Sequence, residues 1–194
     1  MKRLNYIVQV LGNSSIKVCA VGLIFLWGVT VNLGFLSKAI AENPAELNDL
    51  EIAHVAYSAD NIDIKYAHLA LALSDNPDVR TFAQTMIRDH EAVNKAALDL
   101  LGKLGAQAQD NFLSQTLNKN SEKIITDLAS LRGVEFDRAY AANELAYHKA
   151  VNELVEYSFI PNIENEEVKA LFKKGLEIFK VHEGHAEMMV KKLK

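Results

Sequence analysis

Residues 79–104 read VRTFAQTMIRDHEAVNKAALDLLGKL, and the spacing of their apolar side chains predicts the fold. Apolar residues recur at steps of three, four or seven, which places them on one stripe of a 3.6-residue helix. The stripe consists of Val79, Phe82, Met86, Val93, Ala97, Leu100 and Leu104. Between Met86 and Val93 it carries Asp89 or His90 instead of an aliphatic residue. A titratable side chain buried in this way needs polar partners on neighbouring helices.

The composition is typical of a single helix-rich domain. The chain has 194 residues, 49% of them hydrophobic, with only 9 Gly and 3 Pro. So few turn-forming residues argue against a β-sandwich and against a disordered chain. The sequence contains no nucleophile elbow, phosphate-binding loop, zinc-protease motif or dinucleotide fingerprint, which counts against ordinary hydrolases and nucleotide-dependent enzymes.

The first 41 residues are predicted to be a signal peptide. Basic residues at positions 2, 3 and 17 precede an apolar run over residues 18–36, and the small-x-small sequence AIA ends at position 41. This order is that of an n-region, an h-region and a cleavage site. The alternative is an uncleaved anchor, because the apolar run is long enough to cross a bilayer. Both alternatives place residues 42–194, the predicted bundle domain, in the periplasm or envelope, and contact with a membrane is expected only if residues 18–36 are retained.

Charge and cysteine content narrow the class of partner. The chain holds 21 basic and 25 acidic residues, and four of the basic ones but none of the acids lie in residues 1–41. The remaining domain therefore has a formal net charge of −8, which makes nucleic acid an unsuitable partner. The single cysteine, Cys19, lies in the apolar run. The domain without this segment has no thiol, and its stability must come from packing.

Start and stop signals divide the domain into four long helices. The first begins at Asn48, with Glu51 in the position of a capping box. The second follows Asn76 and Pro77 and stops at Gly105. The third covers residues 134–158, and the fourth begins after Asn165. A short amphipathic helix over residues 121–131 is expected between the second and third, after a loose connection over residues 106–117.

The predicted fold is therefore all-α, an up-down-up-down four-helix bundle with an extra short helix between the second and third long helices. Successive antiparallel helices bring their midpoints to one level, so the distance of a residue from its own helix end gives its height in the bundle. Asp63, His90, His148 and His182 all lie about 20 to 24 Å along their helices at ~1.5 Å per residue. His54 and His68 fall on the outer face of the first helix and are expected to be solvated.

A carboxylate and three imidazoles at one level are suitable ligands for a first-row transition metal, with zinc, copper or iron favoured by imidazole. Further candidates, as ligands or as partners of ligands, are Asp89, Glu144, Glu183 and His185. An oxidase-type di-iron site is disfavoured, since it requires two Glu-x-x-His motifs on core helices and this chain has none there. Whether the protein is an enzyme stays open.

The alternative is a structural polar layer. The same side chains could hydrogen-bond one another and fix the order of the helices without binding an ion. The protein would then be a non-enzymatic envelope protein for stress protection or partner binding. The sequence leaves both interpretations open.

Several stretches resemble a bacterial family of exported proteins that is a domain of unknown function. They are Asn76-Pro77-Asp78-Val79, Phe82-Ala83-Gln84, Phe136-Asp137-Arg138-Ala139-Tyr140 and Leu171-Phe172-Lys173-Lys174, together with the histidines at 90, 148 and 182. Members of that family are similar to the ferritin-like bundle and are often labelled predicted outer membrane proteins. The resemblance covers about residues 50 to 193 and implies no established activity.

The resemblance also implies a ligand set. The family's acid on the first helix, usually Glu, falls on Asp63, and its histidines fall on His90, His148 and His182. Two positions depart from the family pattern: Tyr147 stands where an Asp commonly precedes the third-helix histidine, and Glu177 stands where Pro is common. The first departure removes a carboxylate beside His148 unless Glu144 replaces it.

Overall fold

The computed structural model describes residues 43–194, and within this part every regular element is a helix and none is a strand. The long helices are α1 (Asp49–Leu73), α2 (Pro77–Leu104), α3 (Phe112–Ala129), α4 (Gly133–Leu154) and α5 (Glu166–Lys192). A 3₁₀ turn, Pro44–Glu46, precedes α1, and α4 continues through a π turn, Val155–Phe159, into the short segment Ile160–Asn162. The all-α prediction is confirmed. The signal-peptide and anchor predictions fall outside the described residues.

The starts of α1 and α2 follow from their local sequences. The Asn48 side chain accepts from the backbone N–H of Glu51, while the Glu51 carboxylate accepts from the N–H of Asn48, which completes the capping box. Asn76 caps α2 in front of Pro77, and Gly105 ends α2 with a left-handed φ of 62°. These ends agree with the predictions because caps and stops depend on neighbouring residues alone.

Helix α3 begins earlier and runs longer than predicted. Residues 106–111 are a non-helical connection as predicted, but the helix predicted over residues 121–131 is an 18-residue helix, Phe112–Ala129, which takes in the second half of the predicted connection. Its N-cap, Asn111, accepts from the N–H of Ser114, and the Ser114 hydroxyl accepts from the N–H of Asn111. This reciprocal cap uses Ser where the familiar signature has Glu or Gln, so the sequence pattern missed it. Leu113 and Leu117 of the new first turns are buried in the core.

One apolar core holds the helices together. α1 packs on α2, α3 and α4, while α5 packs on α4 and α2. Large side chains at the centre are fully buried, among them Ile52, Tyr66, Phe136, Tyr140 and Phe159. Burial of each such side chain contributes about 1.5 to 3 kcal/mol. Within residues 43–194, no helix has the length and apolar character needed to cross a membrane.

The buried stripe of α2 turns partway along the helix. It runs through Val79 and Met86 as predicted, but continues at His90, Asn94 and Leu101. The predicted stripe residues Val93 and Leu104 are half-buried and exposed, respectively. From Met86 to His90 and from His90 to Asn94 the buried positions are four residues apart. Eight residues are more than two turns of a 3.6-residue helix, so the buried face rotates around the helix. His90 therefore enters the core, while Asp89 stays at its edge.

Candidate metal centre

Three histidines from three helices converge in the core. His90 lies on α2, His148 on α4 and His182 on α5, and each residue is at most 3% exposed. The ring centroids are 5.4 Å to 5.8 Å apart. One nitrogen of each ring lies within 4.8 Å of the corresponding nitrogens of the other two. Ligands of one metal ion have this spacing, since Zn–N bonds are about 2.0 to 2.1 Å long.

The outer nitrogen of each ring is held by an oxygen atom. His90 Nδ1 lies 2.7 Å from Asp60 Oδ1, His148 Nδ1 lies 3.0 Å from the backbone oxygen of Glu144, and His182 Nε2 lies 2.9 Å from Asp89 Oδ2. Because a carbonyl or carboxylate oxygen can only accept, the outer nitrogen donates. Of the inner nitrogens, His148 Nε2 and His182 Nδ1 have no hydrogen-bond partner among the described residues, whereas His90 Nε2 lies 2.8 Å from Asp63 Oδ2. In a neutral ring the inner nitrogen carries the lone pair, as in histidines that bind metals.

Two carboxyl groups complete the cluster. Asp63 of α1 and Glu144 of α4 are 0% exposed, and Asp63 Oδ1 and both Glu144 carboxyl oxygens have no hydrogen-bond partner within residues 43–194. Together with His148 they form a second group whose ligand atoms lie within 4.8 Å of one another. Asp63 Oδ2 also lies 2.8 Å from His90 Nε2.

The two groups of candidate ligands meet at one histidine. They share His148, whose Nδ1 donates to a backbone carbonyl. Only the Nε2 lone pair of His148 is then available, and one lone pair serves one ion. Three nitrogens and two carboxyl groups therefore lie around His148, and within each group of three the ligand atoms are within 4.8 Å of one another. The two negative charges of ionised Asp63 and Glu144 would balance a divalent cation.

Asp63 on α1 and His90 on α2 form a buried ion pair. Burial alone would lower the pKa of His90, but the Asp63 carboxylate and the hydrogen bond to Asp60 raise it to about 10. Burial would likewise raise the pKa of Asp63, but the His90 imidazolium holds it well below its ordinary value. At neutral pH the metal-free centre therefore contains an imidazolium between two carboxyl groups, and a bound cation would take the place of that proton.

The groups on α4 are neutral in the metal-free centre. Burial lowers the pKa of His148 to about 4, although Asp63 acts in the opposite direction. Burial raises the pKa of Glu144 well above its ordinary value, and the neighbouring Asp63 charge adds to this effect. His148 is thus ready to bind a cation at neutral pH, whereas Glu144 must first lose its proton.

The sequence of the chain matches one known protein family. The sequence profile of a family described as Domain of unknown function (DUF4142) matches residues 36–189. The chain belongs to the DUF4142 family. No curated protein matches it, and neither does any solved structure. The resemblance to a domain-of-unknown-function family is thereby confirmed, and the family description assigns no activity.

The structure brings together some of the candidates in this DUF4142 domain and separates others. Asp63, His90, His148, His182 and Glu144 meet in the core. Asp89 is 23% exposed and contacts His182 from outside, while Arg88 Nε donates to its other oxygen at 2.7 Å. Glu183 accepts from Asn152, and His185 is exposed. Asp89 is therefore a partner of a candidate ligand, and His185 lies away from the centre.

The outer histidines behave differently from one another. His68 is exposed, as expected. His54 is only half-exposed, and its Nδ1 lies 3.5 Å from Asp110, which precedes α3. Neither histidine approaches the centre, so both serve as controls for it.

Sequence reasoning missed Asp60. This residue is 4% exposed and holds the outer nitrogen of His90. It lies three residues before Asp63 on α1, and residues three apart share a helix face. That spacing was the available signal, but the role of a second buried acid on α1 can be recognised only once its partner on α2 is known.

Proposed function

We propose that this DUF4142 domain binds one divalent first-row transition metal at the centre formed by Asp63, His90, Glu144, His148 and His182. The observation that carries the proposal is the set of three inner ring nitrogens, each on a histidine whose outer nitrogen is already held. Nitrogen and oxygen donors without sulfur favour zinc, iron or copper(II) over copper(I). The ion would neutralise the carboxylates and hold four helices together.

The unpaired atoms favour an ion over a structural polar layer. A layer that serves only to order helices satisfies its own polar atoms, because each buried unsatisfied group costs about 1 to 3 kcal/mol. Here His90 Nε2 and Asp63 Oδ2 pair with each other at 2.8 Å, but the five other inward atoms of the cluster have no hydrogen-bond partner within the described part of the chain. The hydrogen bonds within the cluster leave these atoms unpaired, whereas one bound cation could accept their lone pairs together.

We propose further that the ligand-bearing helices form the up-down-up-down arrangement of a ferritin-like bundle, with α3 as the connection. α1, α2, α4 and α5 each supply at least one ligand, and α1 is joined to α2 by only three residues, Ser74, Asp75 and Asn76. Short connections favour antiparallel neighbours. The predicted signal peptide supports a place for this bundle in the periplasm or envelope.

Export makes a prediction about the mature N-terminus. If residues 1–41 are a signal peptide, protein isolated from the envelope of the native cell is expected to begin at Glu42. Intact-mass spectrometry measures this directly. A chain that retains Met1 or residues 18–36 in the envelope fraction would replace the signal peptide by the anchor, and recovery in the cytoplasm would contradict export.

Metal content tests the proposed function. The full chain, purified without a histidine tag, is expected to hold about one first-row metal ion per molecule by elemental analysis. His148→Ala removes a ligand on α4 and is expected to lower the content about tenfold or more, since even partners of ligands contribute tenfold to hundredfold in affinity. His68→Ala is the matched control on α1 and should retain the ion. The proposal fails if wild-type protein incubated with zinc, iron or copper and then desalted carries none of them in stoichiometric amount.

A further inference from the structure

Three groups hold the outer ring nitrogens of the metal centre, and one of them reaches solvent. The side chain of Asp60, which holds His90, is 6% exposed, and the group that holds His148 is a backbone carbonyl. The side chain of Asp89, which holds His182, is 23% exposed. Asp89 therefore connects the surface of the protein directly to a candidate ligand.

The second oxygen of Asp89 faces a surface cation. Its Oδ2 lies 2.9 Å from His182 Nε2, whereas its Oδ1 accepts from Arg88 Nε at 2.7 Å. The side chain of Arg88 is 69% exposed. Because an exposed ion pair of this kind contributes little to stability, the guanidinium can move into solvent and leave Asp89 Oδ1 to another cation.

A cavity of about 50 Å³ also borders the centre, between α1, α2 and α5, but it is unsuitable for the passage of an ion. Its wall is mostly apolar and includes Phe179, which stacks on His90 at a centroid distance of 4.7 Å. Asp60 lies in the same wall but already binds His90 Nδ1. A hydrated cation would lose water in this cavity without replacement.

A second cavity, of about 30 Å³, lies between α1, α3 and α4. Tyr147 forms part of its wall, and the ring of Tyr147 packs edge-on against His148. None of the described residues that line this cavity is charged. Of the three approaches to the centre, the one at Asp89 is therefore the one that offers a carboxylate at the surface.

We propose that Asp89 is the point at which the metal ion enters the centre. A hydrated divalent cation is attracted first by the Asp89 carboxylate, in competition with Arg88, and then passes to the His182 ring that Asp89 holds. The inference rests on the proposed function and adds the route to the ion that this function requires. A carboxylate at the rim of a site raises the association rate constant of a cation, and a neighbouring positive charge lowers it.

The association rate constant for zinc tests the entry role. The full chain is freed of metal and mixed with zinc at low ionic strength in a stopped-flow instrument, where a fluorescent chelator reports the free ion. Asp89→Asn keeps an oxygen that can accept from His182 but removes the charge. It is expected to lower the association rate constant about fivefold, the effect of one unit charge ~5 Å from a divalent ion in water with moderate screening.

Arg88→Gln is expected to act in the opposite direction. Loss of the competing charge should raise the association rate constant about twofold to threefold, and added salt should diminish both effects. Lys95 and Asp99, an exposed ion pair further along α2, provide the matched controls. Lys95→Gln and Asp99→Asn change the net charge equally and should leave the association rate constant nearly unchanged.

The two rate constants separate entry from positioning. If Asp89 only positions His182, Asp89→Asn raises the dissociation rate constant, measured by transfer of zinc to excess chelator, and leaves the association rate constant unchanged. That result would overturn the entry role, and so would equal effects in the control variants, because net charge would then be the cause.

The zinc content of the same samples at equilibrium distinguishes this proposal from the proposed function. Wild-type protein that takes up no zinc, iron or copper contradicts the metal centre and entry with it. Full uptake of zinc, with unchanged association rate constants in Asp89→Asn and Arg88→Gln, contradicts only the entry of the ion at Asp89.

Discussion

Zinc or iron(II) added to the metal-free protein near neutral pH is expected to raise its melting temperature. An ion that binds only the folded chain stabilises it by about 2.7 kcal/mol when the free ion is at ~100 times the dissociation constant. For a chain of this size that corresponds to about 5 to 10 °C. Thermal unfolding followed by circular dichroism, with and without the ion, measures the shift.

The metal-induced rise in melting temperature is expected to grow with pH between about 6 and about 9, because the ion must displace at least one proton. Asp63 and Asp60 raise the pKa of His90 to about 10 against the effect of burial, so that proton is present over the whole range. Displacement of one proton strengthens binding about tenfold per pH unit, or about 1.4 kcal/mol. The stability of the metal-free protein depends on pH in the opposite direction. The raised pKa of His90 gives stability that is complete below about 6.5, the unfolded value, and is lost as pH rises through about 10.

Four single variants locate the effect. His90→Ala and His182→Ala each remove a ligand and are expected to abolish most of the metal-induced shift. His54→Ala and His68→Ala alter α1 outside the centre and should preserve it. Wild-type protein whose melting temperature does not respond to zinc, iron or copper would contradict the metal centre. So would loss of the shift in the outer variants, since chelation at the surface would then be the cause.

The helix ends show what could be predicted from local sequence. Asn48 with Glu51, Asn76 with Pro77, and Asn165 each start a helix where expected, because a cap involves residues within one turn. The start of α3 was not predicted, because the Asn111–Ser114 cap departs from the common capping-box signature. The buried face of α2 beyond Met86 escaped as well, because its rotation depends on which neighbouring helix the stripe meets.

The candidate site was predictable to the extent that it depends on helix height. Counting residues from helix ends brought Asp63, His90, His148 and His182 to one level, and the structure places them together. The role of Asp60, and which of Asp89 and Glu144 faces inward, depend on helix rotation and on partners far away in sequence. Glu144 is the buried one, and its Oε2 lies 3.8 Å from His148 Nδ1 on the same helix.

Replacement of Glu144 by Met is expected to stabilise the metal-free protein while it weakens metal binding. The carboxyl group is fully buried, both its oxygens lack hydrogen-bond partners within the described residues, and burial with the nearby Asp63 charge raises its pKa well above the ordinary value. Methionine has a similar length and removes the unsatisfied polar group. Relief of such a group is worth about 1 to 3 kcal/mol. Urea unfolding in the presence of a chelator measures the gain as a higher midpoint at an unchanged slope.

The two interpretations of the polar cluster predict opposite signs for this variant. If Glu144 is a ligand, its carboxylate is favourable only with the ion, so Glu144→Met raises the metal-free midpoint and reduces the metal-induced shift in melting temperature. If the cluster is a structural layer, Glu144 contributes to the stability of the metal-free fold and its removal lowers the midpoint. Glu183→Met on α5, where the carboxylate accepts from Asn152 outside the centre, is the control that should leave the metal-induced shift intact. A lower midpoint for Glu144→Met with an unchanged metal response would therefore exclude Glu144 from the centre, because a ligand cannot be lost without loss of binding energy.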